Sequence, residues 1–277
     1  MGTCDVGTWK IGGLDLQLTE LGDGPPLLLV HGFPLDHTMW EGQLAELARQ
    51  TRVLAPDLRG FGHSEPGGES VLMDEYADDL ATLLDARGVS EPVVFCGLSM
   101  GGYIAWQFFR RHRARLRALI LCDTRAAADT AMAAQARLVN AQRALTEGVG
   151  FLAEPMVEKL FAAETRERRP ELVEATRQVM LAASPRGVAA ALRGMAARPD
   201  VSAWLPEIDL PTLVICGRED AITSVEEMRS MAERLPQARF VEIAGAGHMA
   251  PLEQPQAVNQ AIREFLGAGW LPGQAKA

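Results

Sequence analysis

The chain has 277 residues, of which 48% are hydrophobic, so it can bury a sizeable core in one large domain or in a domain with an insertion. The formal net charge of −9 argues against broad binding to nucleic acids or to anionic membranes. No stretch approaches the roughly 20 apolar residues of a membrane span, and residues 1–10 lack the pattern of a signal peptide, so we expect a cytoplasmic protein without nucleic-acid or membrane partners.

The first part of the chain predicts alternating strands and helices. A hairpin is expected around Gly12-Gly13, and the leucines of its second strand fall on one face. The elements predicted next are a strand over 27–30, a helix over 39–49, a strand over 53–55, a helix over 74–87, a strand over 93–97, a helix over 103–111 and a strand over 118–122. Wholly apolar strands of this kind are typical of a parallel sheet covered on both faces.

The pattern changes between residues 124 and 200, where helical periods rich in Ala, Arg, Met and Leu replace the strands. Breaks are predicted near Gly148, Pro170 and Ser184. Alternation then resumes with a strand over 212–216, a helix over 225–235, a strand over 240–243 and a helix over 256–266. The prediction is an α/β protein with a mostly parallel, eight-stranded sheet flanked by helices. Its core domain comprises residues 1–123 and 201–277, and residues 124–200 form an inserted helical cap.

The strand predicted at 93–97 leads into Gly97-Leu98-Ser99-Met100-Gly101, which matches the G-x-S-x-G pattern of a nucleophile elbow. The glycines suit a turn that presses neighbouring backbone together and leaves no space beside the serine. Ser99 is therefore expected at an exposed apex, in a strained conformation that costs about 1–3 kcal/mol.

A serine hydroxyl is a poor nucleophile near neutral pH, so it needs a base and a third group that orients the base. His248 and Asp220 each follow a predicted strand, and the chain order Ser, Asp, His is the one expected with such an elbow. Asp123, directly after the strand that follows the elbow, is an alternative acid. The other histidines (His31, His37, His63 and His112) are interpreted as structural or solvated, with His31 bracing the loop that begins at Gly32.

Two backbone amides are candidates for an oxyanion hole. The N–H of Met100 lies at a helix start, where amides lack intrahelical partners, and the N–H of Phe33 lies in the loop after the strand over 27–30. Trp40 and Met249 are candidate pocket residues, together with Trp204 and the methionines of the cap.

No cofactor or metal site is predicted. The four cysteines form no C-x-x-C pair, and three of them lie in apolar strand-like runs, so free buried thiols are expected. The basic run between Arg110 and Arg117 falls where a helix should end, and cations there complement the helix dipole. It is interpreted as a solvated face.

The ordered motifs resemble those of the α/β-hydrolase superfamily. The matching segments, which extend over nearly the whole chain, are 31–34, 57–64, 97–102, 217–220 and 247–248. Ser99-Met100-Gly101-Gly102 and the segment 121–125 are similar to a branch of carboxylesterases, 3-oxoadipate enol-lactonases and cofactor-free haloperoxidase/perhydrolases. Ser99 argues against the dehalogenases and epoxide hydrolases of this fold, which use an aspartate nucleophile.

The resemblance implies a serine hydrolase of small carboxylic esters or lactones, with Ser99 as nucleophile, His248 as base, Asp220 as orienting acid and the Phe33 and Met100 amides as oxyanion donors. The same residues would also serve a perhydrolase, a thioesterase or acyltransferase, or a carbon–carbon hydrolase. A receptor that keeps the fold without turnover is the non-enzymatic alternative. The expected partner is a small molecule, and homo-oligomerisation stays open.

Overall fold

The computed structural model describes residues 5–267. One sheet of eight strands forms its centre, in the order β1-β2-β4-β3-β5-β6-β7-β8. The strands are β1 Asp5–Ile11, β2 Leu14–Leu21, β3 Pro26–Val30, β4 Arg52–Pro56, β5 Val93–Leu98, β6 Leu116–Cys122, β7 Thr212–Gly217 and β8 Ala238–Ile243. The pairs β1–β2 and β2–β4 are antiparallel, and all other neighbours are parallel. The prediction of a mostly parallel, eight-stranded α/β sheet is confirmed.

Helices connect the strands. They are α1 Glu41–Leu47, α2 Met73–Ala86, α3 Met100–Arg111, α4 Ala131–Glu147, α5 Gly150–Leu160, α6 Ala163–Arg168, α7 Pro170–Ala182, α8 Pro185–Ala196, α9 Val225–Glu233, α10 Ala250–Glu253 and α11 Pro255–Gly267. The helix predicted over 39–49 begins instead as a short 3-10 turn at His37–Trp40. Within residues 5–267, no helix combines the length and the apolar composition needed to cross a bilayer.

Alternating residues of the central strands supply two separate cores. On β3, Leu28 and Val30 join the cluster that includes α2, α3 and α8, whereas Leu27 and Leu29 join the cluster on the opposite face with α1 and α11. Successive side chains of a strand point to opposite faces, so a wholly apolar strand is what a sheet covered on both faces requires. This packing fixes the register that brings the carboxyl ends of the strands together.

The segment between β6 and β7 contains α4 to α8 and no strand. The predicted breaks at Gly148, Pro170 and Ser184 coincide with helix ends, and Thr130 and Ser184 cap α4 and α8 by accepting from the backbone N–H groups of Ala133 and Gly187. A further break at residues 161–162 was not apparent from the sequence, because no glycine or proline marks it. The treatment of this segment as a separate cap domain stays a prediction.

Three of the four cysteines lie in strands of the sheet. Cys96, Cys122 and Cys216 are buried and free, as predicted. Cys4 lies outside the described residues.

The arginines of the basic run between Arg110 and Arg117 form ion pairs with surface carboxylates. The pairs are Arg110 with Glu207, Arg111 with Asp78, Arg113 with Asp209 and Arg115 with Asp85.

Candidate active site

Ser99 lies in a sharp turn between β5 and α3, with φ 51° and ψ −109°. This turn requires glycine at positions 97 and 101, because neighbouring backbone atoms leave no space for a Cβ there. A Cβ on Gly97 would lie 2.4 Å from the carbonyl carbon of Gly101, and a Cβ on Gly101 would lie 2.4 Å from the carbonyl oxygen of Val30. The turn thus holds Ser99 in a left-handed conformation that costs a non-glycine residue about 1–3 kcal/mol.

His248 is held by Asp220. The imidazole Nδ1 lies 2.8 Å from Asp220 Oδ2, and both side chains are buried. Asp220 Oδ1 accepts from the backbone N–H groups of Ile222 at 2.7 Å and Thr223 at 3.0 Å, and the Thr223 hydroxyl donates to Oδ2. Burial raises the pKa of Asp220, but His248 and the donors of Thr223 outweigh it, so the pKa lies below its ordinary value. An ionised Asp220 accepts a hydrogen bond from Nδ1–H of His248, and this tautomer leaves Nε2 with the lone pair that can accept a proton.

Asp123, the alternative acid, hydrogen-bonds to the backbone of Gly217, whereas His248 pairs with Asp220. It lies directly after β6 with φ 46°, and its Oδ1 accepts from the backbone N–H of Gly217 at 2.8 Å. Its Oδ2 is buried and has no hydrogen-bond partner among residues 5–267. Burial, together with the nearby charge of Asp220, raises the pKa of Asp123 well above its ordinary value. The protonated form of Asp123 is therefore favoured beside Asp220, and Asp220 holds the histidine.

The loop after β3 lies against the elbow. A Cβ on Gly32 would be 2.8 Å from Leu98 Cδ2 and 3.5 Å from Ser99 Cβ, so this loop brings the Phe33 backbone next to the serine. Met100 is the first residue of α3, where backbone N–H groups lack intrahelical partners. Both amides predicted as oxyanion donors thus belong to segments that flank Ser99.

His31 braces this loop, as expected from the sequence. Its Nδ1 lies 2.9 Å from the carbonyl oxygen of Gly32, and its Nε2 accepts from the backbone N–H of Leu58 at 2.9 Å. Burial lowers the pKa of His31, which keeps the ring neutral and suits one donating and one accepting nitrogen. The ring therefore ties the loop after β3 to the loop after β4.

A cavity of about 240 Å³ contains both Ser99 and His248. Its lining is mainly apolar, with a few polar groups: Phe33, Ser99, Tyr103, Ala136, Arg137, Asn140, Leu152, Met156, Leu160, Leu192, Met195, Ile222 and His248. Helices α4, α5 and α8 supply more than half of it. Of the four methionines between residues 124 and 200, which are candidate pocket residues, Met156 and Met195 line the cavity, whereas Met132 and Met180 do not.

Trp40 and Met249 do not line this cavity. Both are completely buried in the core on the face of the sheet that carries α1 and α11. Helical spacing predicts an apolar face that includes Trp40, and in the structure this side chain packs in the core against the sheet. Trp204 is also absent from the lining and stacks with Arg110, whose guanidinium carbon is 5.2 Å from the indole centroid. Arg137 and Asn140, one helical turn apart on α4, were missed, because periodicity does not tell which neighbour a helix face meets.

Two groups of side chains have potential metal-ligand atoms within 4.8 Å of one another: Asp36, His37 and Asp57, and Asp123, Cys216 and Asp220. In the first, His37 Nδ1 lies 2.6 Å from Asp57 Oδ1. In the second, Asp220 is bonded to His248. Hydrogen bonds within the protein thus already engage His37 and Asp57 in the first group and Asp220 in the second.

Comparisons with known proteins agree with this architecture. A family model described as alpha/beta hydrolase fold matches residues 25–255. The 3-oxoadipate enol-lactonase 2 of Acinetobacter baylyi is 30% identical, over 88% of this chain and 89% of its own. A thermophilic esterase from Thermogutta terrifontis, solved with malate bound, superposes with a TM-score of 0.92 at 47% identity, covering 95% of this chain and 98% of that one. The enol-lactonase from Burkholderia xenovorans superposes with a TM-score of 0.87 at 30% identity, covering 94% and 99%. The chain belongs to the alpha/beta hydrolase fold family.

Proposed function

We propose that this protein is a cofactor-independent serine hydrolase that cleaves small carboxylic esters or lactones through an acyl-enzyme intermediate. One observation carries the proposal: Ser99 occupies a strained elbow and shares a cavity with His248, whose Nδ1 lies 2.8 Å from the buried Asp220. This arrangement supplies a nucleophile, a base and a group that orients the base. The similarity to an esterase and to enol-lactonases supports ester and lactone substrates.

The proposed reaction has two halves. Ser99 Oγ attacks the acyl carbon while His248 Nε2 takes the hydroxyl proton, and the amides of Phe33 and Met100 donate to the resulting oxyanion. The tetrahedral intermediate collapses, and His248 returns the proton to the departing alcohol oxygen. Water then attacks the acyl-enzyme while His248 takes its proton, and the bond between the acyl carbon and Ser99 Oγ breaks. His248 returns the proton to Oγ, which releases the carboxylic acid and restores the serine. Asp220 stays ionised and stabilises the imidazolium in each half.

The cavity also indicates the size of the substrate. Its volume of about 240 Å³ lies below the roughly 300–1,000 Å³ of drug-sized sites, so short acyl groups should fit best.

The proposal includes a cytoplasmic location, which the free thiols of Cys96, Cys122 and Cys216 support. It assigns a small molecule, and neither nucleic acid nor membrane, as partner.

Replacing Ser99 tests the proposal. Hydrolysis of p-nitrophenyl esters of rising acyl length should be fastest for short chains, and Ser99→Ala should lower kcat by more than about 10³-fold. A fluorophosphonate probe should label the parent protein at Ser99 and leave Ser99→Ala unlabelled. Ser90→Ala, at an exposed serine, is the matched control and should keep parent rates. Full activity of Ser99→Ala would overturn the proposal, and an unlabelled, inactive parent protein would favour a non-enzymatic role.

A further inference from the structure

The cavity beside Ser99 has a cationic group in its wall, although the protein as a whole carries a net charge of −9. Among the described residues that line it, Arg137 is the one arginine, and no lysine, aspartate or glutamate is present. The other polar lining groups are neutral hydroxyl, phenol and amide groups together with the His248 ring. An apolar chamber with a single cationic wall group favours a substrate that carries one negative charge.

Arg137 belongs to a cluster with an excess positive charge. Its Nε donates to Asp129 Oδ2 at 2.5 Å, and Nη1 of Arg198 forms an ion pair with Asp129 Oδ1 at 2.8 Å. The side chains of Asp129 and Arg198 are each 4% exposed, whereas that of Arg137 is 25% exposed. Burial raises the pKa of Asp129, but the two arginines outweigh it, so its pKa lies below the ordinary value. One carboxylate thus faces two guanidinium groups.

The Arg137 guanidinium has donor capacity left for a ligand. Its Nη2 lies 3.5 Å from Asp129 Oδ1, and its Nη1 donates only to the Met195 thioether, at 3.4 Å, among the bonds within residues 5–267. Sulfur of this kind is a weak acceptor, so an anionic oxygen would replace it favourably. Asn140 lies one turn further along α4 and lines the same cavity, where its amide can donate a second bond.

We propose that Arg137, assisted by Asn140, binds a carboxylate group of the substrate, so that the preferred substrates are esters or lactones that carry a second, ionised carboxyl group. Arginine suits this task because its planar fork matches the geometry of a carboxylate. The inference rests on the proposed serine hydrolase function and narrows its substrate class. In this proposal, two residues of α4 that line the same cavity as Ser99 select the substrate.

Half-esters of dicarboxylic acids test the inference directly. The monomethyl esters of succinate, glutarate and adipate each carry one carboxylate, and the corresponding dimethyl esters are neutral. Release of methanol gives kcat/KM for each compound and for the parent protein, Arg137→Met, Arg137→Lys and Arg143→Met. Arg143→Met is the matched control, because Arg143 lies on the same helix, pairs with Glu147 at the surface and does not line the cavity.

In Arg137→Met, the ratio of kcat/KM for the best half-ester to that for its dimethyl ester should fall about 10- to 100-fold, mainly through KM. Arg137→Lys, which keeps the charge and loses the fork, should give an intermediate ratio. Arg143→Met should keep the parent ratio. Added salt should weaken the preference of the parent protein for the half-ester.

The outcomes separate this inference from the function on which it rests. If the parent hydrolyses both ester types through Ser99 and Arg137→Met leaves their ratio unchanged, the carboxylate site is wrong and the serine hydrolase stands. If Arg137→Met lowers both rates equally, Arg137 has a structural role only, and the inference fails. Fluorophosphonate labelling of each variant shows whether its Ser99 is still reactive. Hydrolysis that persists in Ser99→Ala contradicts the proposed function itself.

Discussion

At the residue scale, two neighbouring acids show how environment separates their roles. Asp220 accepts bonds from two backbone N–H groups, a hydroxyl and His248, and these donors keep its pKa low despite burial. Asp123, next to it, receives one backbone bond and has a raised pKa. The sequence left both acids open, since each follows a strand of the sheet. The number of donors aimed at each carboxylate decides between them, and donor geometry does not follow from strand prediction.

Isosteric replacement of the two acids should therefore have unequal effects. Asp220→Asn removes the charge that orients and stabilises His248 and should lower kcat by about 10⁴-fold. Asp123→Asn keeps an oxygen that accepts from the backbone N–H of Gly217, and its amide replaces a carboxyl group whose raised pKa favours the neutral form. Asparagine also tolerates the positive φ of this position. We expect a much smaller loss from it. Steady-state kinetics on one short ester checks both variants, and equal losses would show that the chemistry needs charge on Asp123.

At the element scale, motifs at strand ends could be predicted, and contacts between helices could not. Ser99, Asp220 and His248 each follow a parallel strand, and parallel strands end at one edge of a sheet, so topology alone brings these residues together. Arg137 belongs to an insertion whose pattern indicates helices without stating which faces meet. Trp40, a candidate pocket residue, shows the same limit. Its side chain lies on an apolar helix face, but that face packs in the core and not at the pocket.

The loops after β3 and β4 are joined by a second histidine–aspartate pair. His37 donates to Asp57 Oδ1 through its backbone N–H at 2.9 Å and its Nδ1 at 2.6 Å. The bond to Asp57 raises the pKa of His37 above 6.5. Burial raises the pKa of Asp57, but the bonds from His37 outweigh it and hold the pKa below 3.8. Asp36 also faces His37 and reinforces its positive charge.

This pair should stabilise the fold in a defined pH window. The contribution of His37 is complete below pH 6.5 and is lost as the pH rises through its raised pKa, whereas that of Asp57 is present above pH 3.8 and is lost as the pH falls through its lowered pKa. His37→Gln should therefore lower the free energy of unfolding by about 1–3 kcal/mol near pH 6, and by less near pH 9. Urea unfolding at both pH values measures the difference.

His63→Gln is the control for that experiment. Only the backbone N–H of His63 bonds to Asp57 among the contacts of the described chain, and its side chain is exposed. Its effect on the free energy of unfolding should be small at both pH values. A loss in His37→Gln that is the same at both pH values would contradict the electrostatic account and leave only a packing effect.

At the scale of the whole molecule, glycines determine how closely the inserted helices approach the core. A Cβ on Gly187, at the start of α8, would lie 1.9 Å from the carbonyl oxygen of Gly60, and a Cβ on Gly194 would lie 1.8 Å from that of Val71. The backbone N–H of Val71 donates to the carbonyl oxygen of Ala190 at 3.3 Å. Backbone therefore packs against backbone along α8. The sequence shows these glycines inside a helix, where they lower helix propensity, but their packing role depends on the partner loop.

Gly187→Ala should consequently affect both stability and substrate binding. The added methyl group must push α8 away from Gly60, at a cost of about 1–3 kcal/mol in the free energy of unfolding. Leu192 and Met195 of α8 line the cavity, so the same displacement should raise KM for short esters more than it lowers kcat. Gly150→Ala is the matched control: Gly150 also begins an inserted helix, but its Cβ would lie 3.9 Å from Leu181 Cδ2, which is ordinary contact. Urea unfolding and steady-state kinetics of the two variants test the idea. Equal stability of both variants would show that α8 does not depend on this contact, and a lower stability of Gly187→Ala with an unchanged KM would show that the contact does not shape the cavity.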